Sequence, residues 1–175
     1  MHKVTRSLLQ SYFLLSLATA TLGCSAGTRL PPPVELLPGL LSQASPAKVA
    51  SNYGIDRNTW QVPEDMKLAE TDKRPLYHSF VVRVPRFPPC GDSDGTLKFF
   101  NDRLIGIVCY PADFAAFVRP LALQHGLLFE KGELKGQAGA RISVSSGTDS
   151  SGHRFVVIED TAVREEVNRW LRRYS

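Results

Sequence analysis

The chain has 175 residues, about one domain's worth, with 21 basic and 17 acidic side chains and a formal net charge of +4. That excess is too small and too scattered to form a track for a polyanion, which excludes nucleic acid as a partner.

The first elements are a positive start (His2, Lys3, Arg6) and an uncharged run around Leu8, Leu9, Phe13, Leu14, Leu15 and Leu17. Small residues Ala18, Thr19, Ala20 and Thr21 close it. This order is that of a secretory signal, and the apolar run is shorter than a membrane span requires. Residues 1–23 are therefore read as a signal peptide. The junction Ala20-Thr21-Leu22-Gly23-Cys24 resembles the lipobox of bacterial lipoproteins, departing from it at Thr21, where that family usually has Leu. The resemblance implies that the Cys24 thiol receives a diacylglyceryl group, that the chain is cut before Cys24 and that the new amine is acylated. It also implies a lipid-anchored protein of the bacterial cell envelope. Ser25, rather than Asp, after the cysteine implies the outer membrane, with the domain facing the periplasm. Loss of Lys3 and Arg6 with the signal leaves 19 basic and 17 acidic side chains, a net charge of +2.

Three cysteines divide into one plus two. With Cys24 consumed by lipid, Cys90 and Cys109 remain in an oxidising compartment and are expected to pair as a structural disulfide. They lack the C-x-x-C spacing of a redox dithiol. Closing a loop of about 20 residues would stabilise by about 3 kcal/mol on the chain-entropy estimate.

Residues 24–45 read as the lipidated cysteine and a tether, small and flexible at first and stiffened by Pro31, Pro32 and Pro33. Val34, Leu36, Leu37, Leu40 and Leu41 are too apolar for a solvated linker, and the preferred reading docks them on the chain's own core. Residues 46–175 form the globular domain. Ser45-Pro46 opens a helix that stops at Gly54. This segment, followed by Trp60, is similar to the short helix early in several small envelope lipoproteins, among them the accessory lipoprotein of the outer-membrane β-barrel assembly machine. No functional residue of that family is carried over.

Residues 55–75 carry mixed signals, with a possible short strand at Trp60 and Val62 and turns around Pro63 and Pro75. Alternation over 76–84 predicts a strand. After a loop over 85–95, residues 97–100 and 103–108 flank Asn101-Asp102, a pair that tolerates the positive φ of a tight hairpin turn. Pro111 opens a helix ending at Gly126, with Phe114, Phe117, Val118 and Leu121 on one face and a kink or break expected at Pro120. Residues 131–139 read as an exposed polar loop. A second hairpin joins 141–145 to 153–158 around the Gly147–Gly152 turn. The last helix, from about Thr161, should bury Val163, Val167, Trp170, Leu171 and Tyr174, with Trp170 on the sheet near Phe80, Ile107 and Val156. The fold class is α+β: a single domain with a mainly antiparallel sheet of hairpins packed against about three helices.

The possible chemical constellations each have a simpler structural explanation. Asp92-Ser93-Asp94-Gly95 resembles part of a calcium loop, but Cys90 and Asn101 occupy positions where ligands are needed, so it reads as a turn. His78, His125 and His153 show no metal-site spacing, and no metal site is assigned. The hydroxyl cluster of Ser143, Ser145, Ser146, Thr148, Ser150 and Ser151, with His153 and Asp160, suggests a serine hydrolase but lacks a G-x-S-x-G elbow. Asp160-Thr161 reads better as a helix start than as an acid–base pair. Arg169, Arg172 and Arg173 could meet acidic headgroups or a carboxylate-bearing partner, or simply compensate the helix dipole. No catalytic residue and no cofactor is assigned. The expected function is a lipid-anchored, non-enzymatic binding or accessory module whose partner is an envelope protein or the cell wall. The alternatives are a periplasmic hydrolase-like enzyme and a small-ligand-binding domain.

Overall fold

The computed structural model describes residues 30–61, 79–130 and 133–174. Residues 1–23, which the sequence pattern suggests are a signal peptide, lie outside the described residues with Cys24 and His78, as do the side chains of Phe80 and Tyr174. The architecture is α+β, as the hairpin pattern predicts.

The chain enters through a small hairpin, β1 (Glu35–Leu37) and β2 (Leu40–Leu41), which bends at Gly39 and buries Leu36, Leu37 and Leu40. The apolar segment thus docks on the chain's own core, and packing reaches back to Leu30 within the stretch read as a tether. Helix α1 (Pro46–Tyr53) comes next. The Ser45 side chain accepts from the Lys48 N–H at 3.2 Å, and Gly54 ends the helix in the left-handed conformation. Tyr53 packs edge-on against Phe87, and burial together with the nearby Glu35 carboxylate pushes its phenol above the ordinary 10.0.

Among the described residues, seven antiparallel strands form the main sheet. Three come first: β3 (Ser79–Phe87), β4 (Ser93–Phe100) and β5 (Arg103–Cys109). Helix α2 (Phe114–His125) precedes β6 (Leu128–Glu130), β7 (Glu133–Ala138), β8 (Ile142–Thr148) and β9 (Arg154–Asp160), and α3 (Thr161–Tyr174) ends the chain. The spatial order is β3-β4-β5-β9-β8-β7-β6. Sequential hairpins build each half, and β5 against β9 joins them.

Asn101 and Asp102 both take positive φ in the β4–β5 turn, as their residue types predict. Pro120 does not break α2, which runs as one helix of 12 residues. Its first turn is capped by Asp113, whose carboxylate accepts from the Ala116 N–H at 3.0 Å. The predicted loop over 131–139 is instead largely strand β7. Leu134 and Ala138 turn inward there with the spacing of a pleated strand and are buried.

The two faces of the sheet differ. One carries Val82, Val84, Leu97, Phe99, Leu104, Ile107, Val144, Val156 and Ile158, and the β1–β2 hairpin, α1 and α2 pack with it into one buried core. Among the described residues, α3 lies on the other. Between β4 and β5 the register shifts, so Lys98 pairs with Gly106 but Phe99 with Leu104, leaving Ile105 as an extra residue turned to the second face. There Phe100, Ile105 and Val163 form a small separate core, with Leu30, Val167 and Trp170 packed against it. This corrects the predicted place of Trp170: Ile107 and Val156 belong to the opposite face. Leu171, expected in the buried stripe, is 37% exposed.

Gly106 marks a close approach of β5 to β9. A Cβ there would lie 2.5 Å from the Ile158 carbonyl oxygen, so any larger residue would push β5 away from β9.

Candidate functional site

Three turns converge at the end of the sheet remote from the start of α3. Cys90, on a short 3₁₀ turn (Pro88–Cys90), stands at disulfide distance from Cys109, the last residue of β5, with Cα atoms 5.2 Å apart and both residues fully buried. Gly95 pairs with Cys109 across the ladder. A side chain at Gly95 would come within 3.2 Å of the Cys90 sulfur and closer still to Phe87, so glycine makes room for the crosslink. The crosslink holds the β3–β4 connection against the end of β5, which leads into α2.

Beside it lies a cleft of about 770 Å³. Its walls come from β3 and β4 (Arg83, Asp94, Thr96), from the β5–α2 connection (Tyr110 to Ala112, then Phe114) and from the β8–β9 turn (Asp149 and Ser151 to Arg154). The volume lies within the range of small-molecule sites. Arg83 donates through Nε to Asp94 Oδ2 at 2.9 Å, and a second contact from its terminal nitrogen makes the pair a charged clamp on the rim. Asp94 thus serves an arginine, and the calcium-loop resemblance of residues 92–95 resolves into an ion-paired turn. Arg154 lies flat over the Phe114 ring, 3.5 Å from its centre, a close cation–π stack. Tyr110 and Phe155 meet at 6.1 Å in a tilted pair on the other side.

The hydroxyl-rich segment forms the β8–β9 turn. Asp149 Oδ1 accepts from the backbone N–H groups of Ser151 and His153, both at 2.9 Å, and Gly152 takes positive φ. This is side-chain-to-backbone turn chemistry. His153 is 74% exposed, and its Nδ1 lies 3.6 Å from Asp149 Oδ2.

Asp160, which the hydrolase alternative needs beside His153, sits at the far end of β9, about 20 Å away at the rise of an extended strand. There it is completely buried and accepts from Ser42 Oγ at 2.7 Å, from Arg141 at 2.5 Å and, through Oδ1, from the Ala162 N–H at 3.0 Å. Asp160 is therefore a helix cap and an ion-pair partner. The structure does not bring the proposed serine, histidine and aspartate together. Among the described residues, no group of three His, Cys, Asp or Glu side chains is placed to hold a metal ion.

A second surface was not visible in the sequence. Where α2 ends and β6 begins, Ala122, Leu123, Leu127 and Phe129 line an apolar depression of about 440 Å³, with Arg119 beside them. Leu123 is 85% exposed and Leu128, on the edge strand, 68%. The helical periodicity of α2 puts Leu123 off the buried face, which is the one signal that could have found it.

No family model matches the chain, and no curated protein or solved structure matches it significantly.

Proposed function

We propose that the protein is a lipid-anchored lipoprotein of the bacterial cell envelope, held to the membrane through Cys24, whose domain binds another envelope component without catalysing a reaction. The buried pairing of Cys90 with Cys109 carries this reading. It suits an oxidising compartment and leaves Cys24 as the thiol available for lipid. The lipobox-like junction supplies the chemistry, and outer-membrane placement follows from Ser25 under the same resemblance. Among the described residues no helix is long and apolar enough to cross a membrane. The binding role is supported by the apolar depression lined by Ala122, Leu123, Leu127 and Phe129, with Leu123 85% exposed at its margin and Leu128 exposed on the neighbouring edge strand.

Metabolic labelling with a palmitate analogue, and then fractionation, tests the anchor. Wild type should carry label and sediment with membranes, and Cys24→Ala should lose the label. An unmodified Cys24 thiol in the mature protein defeats the reading. Crosslinking in intact envelopes tests the binding role. Adducts to one partner should form in wild type and disappear with Leu123→Asp and Leu128→Asp together.

The cleft supports a second reading, a small-ligand-binding domain. Its aromatic walls and two guanidinium groups suit a ligand that has both a flat and an anionic part.

A further inference from the structure

Leu30 fixes where the N-terminal chain meets the domain. It packs beside Phe100, Ile105 and Val163, with Val167 and Trp170 of α3 on the same small core. The next residues are tied down as well. The Pro31 carbonyl accepts from Gln43 Nε2 at 2.9 Å, and the Pro32 carbonyl accepts from Arg141, the arginine that holds Asp160.

Six peptide steps separate Leu30 from Cys24, which even fully extended span only about 20 Å. A compact domain of this size is about 40 Å across. Whatever path those residues take, a lipid on Cys24 lies within about half a domain's width of α3.

The surface presented at that end suits a headgroup layer. Helix α3 carries Arg164, Arg169, Arg172 and Arg173 against Glu165 and Glu166, an excess of two positive charges. Trp170 is half-buried and Leu171 is 37% exposed, an aromatic and an aliphatic side chain set among arginines. The apolar stripe of α3 faces the small core, so the helix turns its cationic face outward, where it suits contact with anionic headgroups at the membrane surface. The cleft opens about 20 Å further on, at the other end of β9.

We infer, on the basis of the proposed lipid anchor, that the α3 end of the domain faces the bilayer. Helix α3 then lies against anionic lipid headgroups, and the cleft points away from the membrane. The short leash limits how far the domain can turn. Arginine contacts select the orientation within that limit, so that the cleft and the disulfide-bonded end are offered to the compartment. The occupant of the α3 surface is the anionic headgroup layer of the bilayer in which the Cys24 acyl chains are anchored.

Lipidated, non-reduced protein in phosphatidylethanolamine–phosphatidylglycerol vesicles tests this directly, because neither the lipid-blocked Cys24 nor the Cys90–Cys109 pair takes a thiol label. A fluorophore at Leu171→Cys should be quenched by nitroxide-headgroup lipid. The same label at Ser151→Cys, on the cleft turn, should not be. Glu165→Cys provides a second position on α3 should Leu171→Cys lower the melting temperature. Adding Arg169→Glu and Arg172→Glu should abolish quenching at the α3 position while the protein remains vesicle-bound. If labels at both ends are quenched alike, or if charge reversal leaves quenching unchanged, the orientation is refuted although the anchor stands. If mass spectrometry finds no lipid on Cys24, the anchor and the orientation fall together.

Discussion

Asp160 and Asp94 are both paired with arginine, and they stand near opposite ends of one sheet. The Asp160 side chain has no exposure and its partner Arg141 retains 21%, whereas Asp94 and Arg83 retain 31% and 56%. Their partners differ in reach. Asp160 joins Ser42 from the entering segment, Arg141 from the β7–β8 turn and the first turn of α3. Asp94 joins two neighbouring strands that the ladder already holds together. One carboxylate is a joint between three parts of the fold, and the other is a rim charge beside a cleft. The same pair of residue types is structural where water is excluded and adjustable where it is not.

The contrast is most vulnerable at the joint. Asp160→Ala would leave Arg141 and the Ser42 hydroxyl without their carboxylate and remove the cap of α3. Stripping one partner from a buried ion pair costs about 3–5 kcal/mol, a large part of a small domain's stability. Urea unfolding should show the loss as a lower midpoint with an unchanged slope. A variant as stable as wild type would mean that the entering segment is not held through Asp160.

At the other end, strength comes from the crosslink. Replacing Cys90 and Cys109 together by serine should cost about 3 kcal/mol, the chain-entropy value for a loop of about 20 residues. Thermal melts with and without reductant would check it. Reductant should lower the wild-type midpoint toward that of the variant and leave the variant unmoved. If Asp160→Ala and the cysteine variant each unfold the whole domain cooperatively, the two ends are one folding unit despite their different chemistry.

How much of this was legible in the sequence depends on how local the cause is. The cap role of Asp160 could be read from Asp160-Thr161 because capping involves adjacent residues. Its bond to Ser42 could not, since 118 positions separate the two. The hairpins around 101–102 and 147–152 were legible from turn chemistry and alternation. Strand β7 was not, because Leu134 and Ala138 are the inward apolar residues in a segment otherwise rich in glycine and charge. The cleft brings together residues from β3 to the β8–β9 turn, spanning 83 to 154, and no spacing rule connects them.

The face chosen by α3 was misread for a definite reason. Its stripe predicts that it packs on something, but which side of the sheet it meets depends on the shift between Lys98 and Phe99 that turns Ile105 over. A single extra residue in a strand reverses the face to which the later side chains point. Trp170→Ala measures how much this second, smaller core contributes. Full burial of an aromatic ring would be worth about 3–5 kcal/mol. Trp170 is half-buried, so a loss of about 2 kcal/mol in chemical unfolding is expected. A loss equal to that of a front-face residue such as Phe99 would mean that α3 is as deeply embedded as α2.

The mildest substitution probes the cleft end of the sheet. Asp94→Asn removes a charge from Arg83 but keeps an acceptor in the same place, and both side chains already meet solvent. An exposed ion pair contributes about 0–1 kcal/mol, so the melting temperature should barely move and the small difference should shrink further in salt. Such a result would show that the Arg83–Asp94 clamp can open without cost to the fold, freeing the Arg83 guanidinium for an anionic group entering the cleft. If Asp94→Asn instead destabilises as strongly as Asp160→Ala, the clamp is a second structural joint. The cleft would then be rigid masonry around a space, and the contrast between the two ends of the sheet would be lost.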